Sequence, residues 1–236
     1  MKVEIWSDYM CPFCYIGKRK FEVALEQFAH KDRVEVTYRS FELDPGAKRD
    51  NPESVYEMLS AKYNVPVEQA KAMNQNVAKQ AEEVGLTYHF DTMELTNSFD
   101  AHRLTHFAAH HGKSGEIAEK LFHAVFTASK NIGQHNVLIE LATEAGLDLE
   151  ETTKMLQGDH HTLEVHADEQ EAKELGIRGV PYFVIDRKYA ISGAQSSDVF
   201  LDTLQKAWGE ARPLTVVNET SPKAGQDYCS DGECKA

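Results

Sequence analysis

The sequence lacks any uncharged apolar run of the roughly 18 residues that a membrane-spanning helix requires. Its first segment, Met1–Asp8, is too short and too charged to supply the basic start and apolar stretch of about 7–15 residues of a secretory signal. We therefore expect no membrane partner and predict a cytoplasmic location. A mature form from which a signal has been removed would leave the same residues, so that alternative stays open.

The sequence also lacks an excess of basic residues. Its 25 Lys and Arg stand against 38 Asp and Glu, which gives a net charge of −13. Such a chain repels polyphosphate, so we expect no nucleic-acid partner. With 42% hydrophobic and 27% charged residues, the composition excludes a disordered or collagen-like protein. Its 236 residues suffice for one large domain or two small ones.

Cysteine is scarce, and its placement is informative. The four cysteines form two close pairs, Cys11 with Cys14 near one end of the chain and Cys229 with Cys234 near the other. In a cytoplasmic protein, close pairs of this kind are more often catalytic, redox-sensing or metal-binding than structural disulfides.

Hydrophobic periodicity predicts an α/β fold of the thioredoxin type, interrupted by a large all-helical insertion. We divide the chain into a first thioredoxin-like part (1–44), the insertion (45–158), a second thioredoxin-like part (159–210) and an irregular C-terminal tail (211–236). Asn51 and Pro52 predict the start of a helix that runs to about Tyr63. Further helices are predicted over 12–29, 67–84, 97–111, 114–130, 135–145, 149–157, 160–175 and 197–208, and strands near 2–7, 34–39, 180–186 and 189–192.

The first cysteine pair, Cys11-Pro12-Phe13-Cys14, falls where a predicted strand passes into a helix. This spacing places both sulfur atoms on one face of the first turn, close enough for a disulfide. The helix N-terminus favours a thiolate at Cys11 and lowers its pKa below the ordinary value of about 8.5. Pro12 is compatible with the first turn, and Cys14, deeper in that turn, is the expected resolving thiol.

Metal binding is the main alternative for these residues. A zinc half-site would need four ligands, usually from a second close pair, and the only other pair is distant and more widely spaced. His106 and His110 stand four residues apart on one predicted helix, but no Glu follows the first of them as in a metalloprotease motif. We interpret these and His160, His161 and His166 as surface histidines and predict no metal site.

Two motifs resemble the DsbA-like thioredoxin-fold family. They are Ser7-Asp8-x-x-Cys11-Pro12-Phe13-Cys14-Tyr15-x-Gly17 and Gly176-x-x-Gly179-Val180-Pro181-x-Phe183, and the likeness covers about residues 1–210. Within that family the chain is most similar to the cytosolic FrnE group, through the segments Asn97–Leu104, Leu121–Phe126 and Ile132-Gly133 and the tail pair Cys229-x4-Cys234.

The resemblance implies a thiol–disulfide oxidoreductase or isomerase that acts on client proteins carrying thiols or disulfides. Cys11 is then the nucleophile, Cys14 the resolving cysteine and Pro181 a cis proline. Pro12, Phe13 and Val180 would contact the substrate, because a cis proline leaves the preceding backbone free to pair with an extended peptide. The implied redox group is the cysteine pair itself, without metal or organic cofactor, with glutathione or thioredoxin as electron donor.

Phe13 occupies the position between the cysteines where the best-known DsbA motif carries His. We therefore expect a reduction potential between the values of about −120 mV for DsbA and −270 mV for thioredoxin.

The second pair, Cys229 and Cys234, is surrounded by Asp227, Asp231 and Glu233. Nearby carboxylates raise a thiol's pKa, so this pair is a poor nucleophile and is better suited to exchange electrons with Cys11 as an auxiliary redox pair. An inert local disulfide and metal binding are the alternatives.

Two other functions fit parts of the sequence. A glutathione-dependent isomerase or transferase of the kappa type would share the interrupted fold, but such enzymes typically carry Ser at the position of Cys11. A redox-regulated holdase chaperone would use the tail cysteines as its sensor. The oligomeric state is not predicted.

Overall fold

A single mixed sheet of four strands underlies the described residues, which are 1–210 of the computed structural model. The strands are β1 (Lys2–Ser7), β2 (Glu35–Ser40), β3 (Tyr182–Ile185) and β4 (Tyr189–Ser192). Their spatial order is β2-β1-β3-β4, with β1 parallel to β2 and antiparallel to β3, and with β3 antiparallel to β4. The predicted α/β fold of thioredoxin type is confirmed. Cys229 and Cys234 lie outside the described residues.

Helices cover the sheet and fill the long connection between β2 and β3. They are α1 (Pro12–Gln27), α2 (Val55–Tyr63), α3 (Val67–Glu82), α4 (Phe99–His110), α5 (Ser114–Phe126), α6 (His135–Glu144), α7 (Leu149–Gln157), α8 (Thr162–Glu174) and α9 (Ser197–Glu210). Six of them, α2 to α7, follow β2 directly and form the predicted helical insertion. The boundaries proposed at 44/45 and 158/159 stay predictions. No helix within 1–210 combines the length and apolar character needed to cross a bilayer.

The two faces of the sheet follow the two-residue period of its central strand. Val3 and Ile5 point to one face, where they pack with Phe183 of β3 and with residues of α1 and α9. Trp6 points to the other face, where its indole Nε1 donates a hydrogen bond of 3.0 Å to the carbonyl of Asp168 in α8. Both faces are therefore covered, and the strand that leads into the first cysteine pair is buried from Val3 to Ser7.

Two predicted helix boundaries are wrong. Helix α2 starts at Val55 rather than Pro52, because Ser54 and Glu57 form a reciprocal capping box there. Asn51 instead forms an isolated antiparallel bridge with Leu95. Helix α5 ends at Phe126 rather than about residue 130, because the chain turns through a left-handed residue at Ser129, with φ of 50°.

Arg103 of α4 joins its own helix to the end of α7 and to the turn before α8. The side chain is 4% exposed, and its guanidinium donates hydrogen bonds to the carbonyls of Met155 (2.7 Å), Gly158 (2.6 Å) and His160 (2.8 Å). These carbonyls lie at the end of α7 and in the turn before α8, so one fork-shaped side chain satisfies groups that the helix end leaves unpaired. Arg103 thus holds the end of the insertion against α4.

Candidate active site

The cysteine pair lies at the junction between β1 and α1. Cys11 is the N-cap of α1 in an extended conformation, and Pro12 occupies the first turn. The amide of Cys11 donates to the Asp8 carbonyl, and the amide of Cys14 donates to the Cys11 carbonyl, each over 3.0 Å. Cys11 is 5% exposed and Cys14 is 2% exposed, so the second thiol is the more enclosed of the two.

A proline loop from the far end of the chain closes over Cys11. The Val180–Pro181 peptide is cis, and the Cys11 Sγ donates to the Val180 carbonyl over 3.6 Å. Gly17 makes this approach possible, because a Cβ added there would lie 3.0 Å from Pro181 Cγ. The fold thus brings together Cys11, Val180 and Pro181, which the sequence separates widely.

The environment of the Cys14 thiol opposes ionisation. Burial raises the pKa of Cys14 well above its ordinary value, and the neighbouring Cys11 raises it further. A hydrogen bond from the Ser7 side chain and one from the Asp8 backbone lower this pKa without offsetting the burial. Cys14 is therefore held as a protonated thiol at neutral pH.

A buried carboxylate anchors the cysteine loop. Asp8 accepts hydrogen bonds from the amides of Met10 (3.1 Å) and Leu43 (2.7 Å), and His102 Nε2 lies 3.8 Å from its Oδ1. Burial raises the pKa of Asp8, but His102 and the two amides outweigh burial and hold it below its ordinary value. Asp8 is therefore ionised at neutral pH, and its hydrogen bonds connect the cysteine loop to the residues that follow β2.

A second carboxyl group near the site titrates close to neutrality. Burial raises the pKa of Glu42 to about 7, against a lowering effect of His102 and with further raising by Glu169 and Asp8. Asn97 Nδ2 donates to Glu42 Oε1 over 3.4 Å. The charge of this cluster therefore changes within the physiological pH range.

A cavity of about 620 Å³ opens beside the cysteine pair. Cys11, Pro12 and Phe13 form one end of it, and Phe13 is 39% exposed. Most of the remaining wall comes from the loop after β2 and from α2 and α3 of the insertion, and it includes four methionines, Met10, Met58, Met73 and Met93. We call this space the methionine cavity.

A second, more open cavity of about 380 Å³ lies at the proline loop and is lined in part by Gly179, Val180 and Pro181. It shares no lining residue with the methionine cavity. Of the predicted substrate-contact residues, Pro12 and Phe13 therefore belong to one cavity and Val180 to the other.

Several residues of this region were not assigned a role from the sequence. Ser7 and Asp8 belong to the first motif, so their fixed spacing from Cys11 was a signal. His102 belongs to the segment Asn97–Leu104 of the family resemblance, whereas Glu42 carries no local signal, because it reaches the site only through the packing of distant segments. The aromatic side chains of Trp6, Tyr15 and Phe183 are buried in the core, at no more than 1% exposure.

The histidines that were predicted to lie on the surface do not line the cavity beside the cysteine pair. His106, predicted to lie on the surface, is mostly buried, with its Nε2 3.0 Å from Asp168 Oδ2 and 3.1 Å from Ser40 Oγ. Within residues 1–210, one group has ligand atoms close enough to hold a metal ion, all within 4.8 Å of one another: His110, His161 and Glu164. This group includes neither cysteine and contains only one member of the His106–His110 pair.

Comparison with known proteins identifies relatives over nearly the whole chain. The family model described as the DSBA-like thioredoxin domain matches residues 2–205. The uncharacterized protein YwbO of Bacillus subtilis is 32% identical over 200 residues, which cover 84% of this chain and 92% of that protein.

Solved structures agree with this assignment. The crystal structure of a probable DsbA oxidoreductase from Streptomyces coelicolor is 44% identical, with a TM-score of 0.86 over 93% of this chain and 94% of that one. The cytosolic disulfide reductase DsbM from Pseudomonas aeruginosa is 15% identical, with a TM-score of 0.62 over 89% of this chain and 99% of that one. The second likeness is one of fold alone.

Proposed function

The chain belongs to the DSBA-like thioredoxin domain family, whose members are in general disulfide oxidoreductases, and we propose that it exchanges disulfides with client proteins through Cys11 and Cys14. The observation that carries the proposal is the placement of Cys11 at the start of α1 with its sulfur against the carbonyl that precedes a cis proline. Cys11 is also the less enclosed of the two thiols, and it lines the methionine cavity.

The proposed reaction is a pair of thiol–disulfide exchanges. The Cys11 thiolate attacks one sulfur of a client disulfide, that S–S bond breaks, and the second client sulfur leaves as a thiolate and takes up a proton. Cys14 then loses its proton and attacks Cys11 Sγ, which releases the first client sulfur. Two electrons pass to the client, and a Cys11–Cys14 disulfide remains for a thiol reductant such as glutathione or thioredoxin to reduce.

The surroundings of the two thiols support this division of roles. The raised pKa of Cys14 keeps it protonated while Cys11 reacts, so it does not compete as a nucleophile. Once Cys11 is bonded to a client, its own charge disappears and one contribution to that raised pKa is lost. The Ser7 hydrogen bond then supports the Cys14 thiolate as it forms.

Finer features of the proposal rest on the sequence. We place the protein in the cytoplasm, where the reducing glutathione pool favours reduction or isomerisation of client disulfides. We also retain the likeness to the FrnE group and the role of Cys229 and Cys234 as an auxiliary pair that passes electrons to the Cys11–Cys14 disulfide.

Single serine variants of all four cysteines test the mechanism. With insulin as client and glutathione as reductant, we expect Cys11→Ser to abolish turnover. Cys14→Ser should accumulate a mixed disulfide, which mass spectrometry would locate at Cys11. Cys229→Ser and Cys234→Ser are matched controls that should keep single-turnover exchange and slow only the regeneration of the reduced pair.

Full turnover by Cys11→Ser would refute the proposal. Conjugation of glutathione to a chromogenic electrophile by the wild-type protein would favour the kappa-type alternative instead. Suppression of client aggregation by a variant without cysteines would support a chaperone role independent of redox, whereas no suppression by either the oxidised or the reduced protein would exclude the holdase alternative.

A further inference from the structure

Two histidines and a glutamate converge where the end of α4 meets the start of α8. His110 is the last residue of α4, His161 immediately precedes α8, and Glu164 lies in the first turn of α8. The ring centroids of His110 and His161 are 5.2 Å apart, and His161 Nδ1 lies 2.9 Å from Glu164 Oε1. The three side chains therefore share one small region of the surface, although they come from elements that are distant in the sequence.

Helix capping does not account for His161. The residue is the N-cap of α8, a position that favours Ser, Thr, Asp or Asn, and its side chain makes no capping hydrogen bond. Its backbone is left-handed, with φ of 64°, a conformation that is uncommon for residues other than glycine. Such a conformation persists where surrounding contacts impose it. The fold of the turn, rather than a capping role, thus directs the ring of His161 toward Glu164 and His110.

Helix α4 supplies contacts that hold this turn in place. Arg103, His106 and His110 follow one another at helical spacing on the side of α4 that contacts α8. Arg103 Nε donates to the His160 carbonyl over 2.8 Å, and His106 Nε2 lies 3.0 Å from Asp168 Oδ2. The ring of His110 forms no hydrogen bond to any of residues 1–210, and it lies against the ring of His161. The first two contacts fix α4 against α8 and so keep His110 opposite His161.

The group has the donor atoms and the spacing of a zinc site. Two imidazole nitrogens and one carboxylate oxygen are a common protein ligand set for Zn²⁺, with water in the fourth position. Tetrahedral zinc bonds of about 2.0–2.2 Å place the ligand atoms roughly 3.3–3.6 Å apart. The three ligand atoms lie within 4.8 Å of one another, and the side chains of His110 and Glu164 are exposed. Rotation of these two exposed side chains can therefore close the remaining distance.

We propose that His110, His161 and Glu164 bind one Zn²⁺ ion, with water as the remaining ligand. The ion connects α4 of the insertion to the start of α8. The group includes neither Cys11 nor Cys14, so this inference does not rest on the proposed function. A ligand that binds only the folded chain stabilises it by mass action, so zinc should also raise the unfolding temperature.

Zinc titration of the full-length protein without thiols tests the proposal, because thiolates also bind zinc. Isothermal titration calorimetry should give one Zn²⁺ per chain for the variant that combines Cys11→Ser, Cys14→Ser, Cys229→Ser and Cys234→Ser. In that background, His110→Ala and His161→Asn should each weaken binding by about tenfold or more. Asn is chosen at position 161 because it tolerates a left-handed backbone, so the turn is kept. The wild-type protein, with its cysteines oxidised to disulfides, should bind one Zn²⁺ with the affinity of the thiol-free variant.

His111→Ala is the matched control. His111 follows His110 directly and is exposed, but it does not belong to the group, so this variant should keep the affinity of the thiol-free background. Thermal unfolding provides a second measurement. Zinc should raise the unfolding temperature above that in EDTA for the thiol-free background and for His111→Ala, whereas His110→Ala should lose most of this difference.

The other outcomes would overturn the inference. They are the absence of binding without free thiols, and binding that His110→Ala and His161→Asn leave unchanged. An equal loss of affinity in His111→Ala would show adventitious binding by surface histidines and would overturn it as well. His110 is exposed at the end of its helix, and circular dichroism of His110→Ala would verify that a loss of binding does not reflect unfolding. Disulfide exchange by the wild-type protein tests the proposed function separately.

Discussion

At the scale of single residues, two buried carboxyl groups near the thiols have pKa values that are shifted in opposite directions. Asp8 is held ionised by His102 and two backbone amides, whereas Glu42, beside two other acids, has its pKa raised to about 7. Ionised Glu42 adds a second negative charge to a region where a thiolate must form. The electrostatics of the site therefore depend on pH through Glu42 rather than through Asp8.

Replacing Glu42 with Gln should stabilise the protein in a pH-dependent way. The folded-state pKa of Glu42 lies above its ordinary value of 4.5, so its contribution to stability is present below that value and is lost as pH rises through about 7. Glu42→Gln, which cannot ionise, should therefore gain stability over the wild type at pH 8, by an amount of the order of 3 kcal/mol, and gain little at pH 5. Urea unfolding of both proteins at both pH values measures this difference, and an equal gain at pH 5 and pH 8 would contradict the prediction.

At the scale of secondary-structure elements, glycines set how closely helices and loops approach. Gly17 lets α1 contact the proline loop, since a Cβ there would also lie 3.5 Å from Ala194 Cβ and from Phe183 Cζ. Gly133 has the same role in the insertion, where a Cβ would collide with Thr96 Oγ1. Both glycines belong to segments that carry the family resemblance. These motifs therefore reflect the requirements of close packing as well as those of the chemistry.

Gly17→Ala should lower both stability and exchange rate. The added methyl group forces α1 away from Pro181 and thus moves Cys11 relative to the Val180 carbonyl. Overpacking of this kind costs about 1–3 kcal/mol. Gly209→Ala, in α9, is the matched control, because its Cβ would meet no atom within 4 Å and alanine favours a helix by about 0.5–1 kcal/mol. Thermal unfolding and the rate of insulin reduction with glutathione as reductant compare the two variants, and equal unfolding temperatures would refute the packing argument.

The comparison of sequence and structure is also clearest at this scale. Periodicity and glycine positions predict most elements to within a few residues, because they act within one helix or strand. The start of α2 was misassigned, because Asn51-Pro52 and Ser54–Glu57 are both good helix starts and only the bridge from Asn51 to Leu95 decides between them. The sequence does not single out Glu42, because its raised pKa depends on burial and on neighbours from distant segments.

At the scale of the whole molecule, the site is assembled from both parts of the fold. The sheet and its helices supply the cysteine turn and the proline loop, and the insertion supplies most of the methionine cavity. Neither part alone would enclose a cavity beside the cysteine pair. The insertion between β2 and β3 supplies most of the apolar wall next to Cys11, Pro12 and Phe13.

The net charge of −13 should make the protein associate faster with cationic clients than with anionic ones, through long-range attraction. A strongly acidic protein attracts cationic partners, and this steering changes association rates more than the strength of the final contacts. The Debye length is about 30 Å at 0.01 M ionic strength and about 3 Å at 1 M, so the effect should appear in dilute buffer and vanish in concentrated salt. We compare two chromogenic peptides that carry 5-thio-2-nitrobenzoate on a central cysteine sulfur, one flanked at a distance by three Lys residues and the other by three Glu residues. The cationic peptide should release the chromophore about tenfold faster at 0.01 M salt, whereas the two rates should converge at 1 M. N-acetylcysteine with the same leaving group is the reference for salt effects on the chemistry. A preference that persists at 1 M salt would instead indicate a direct contact with an acidic residue that lines the methionine cavity, such as Asp44.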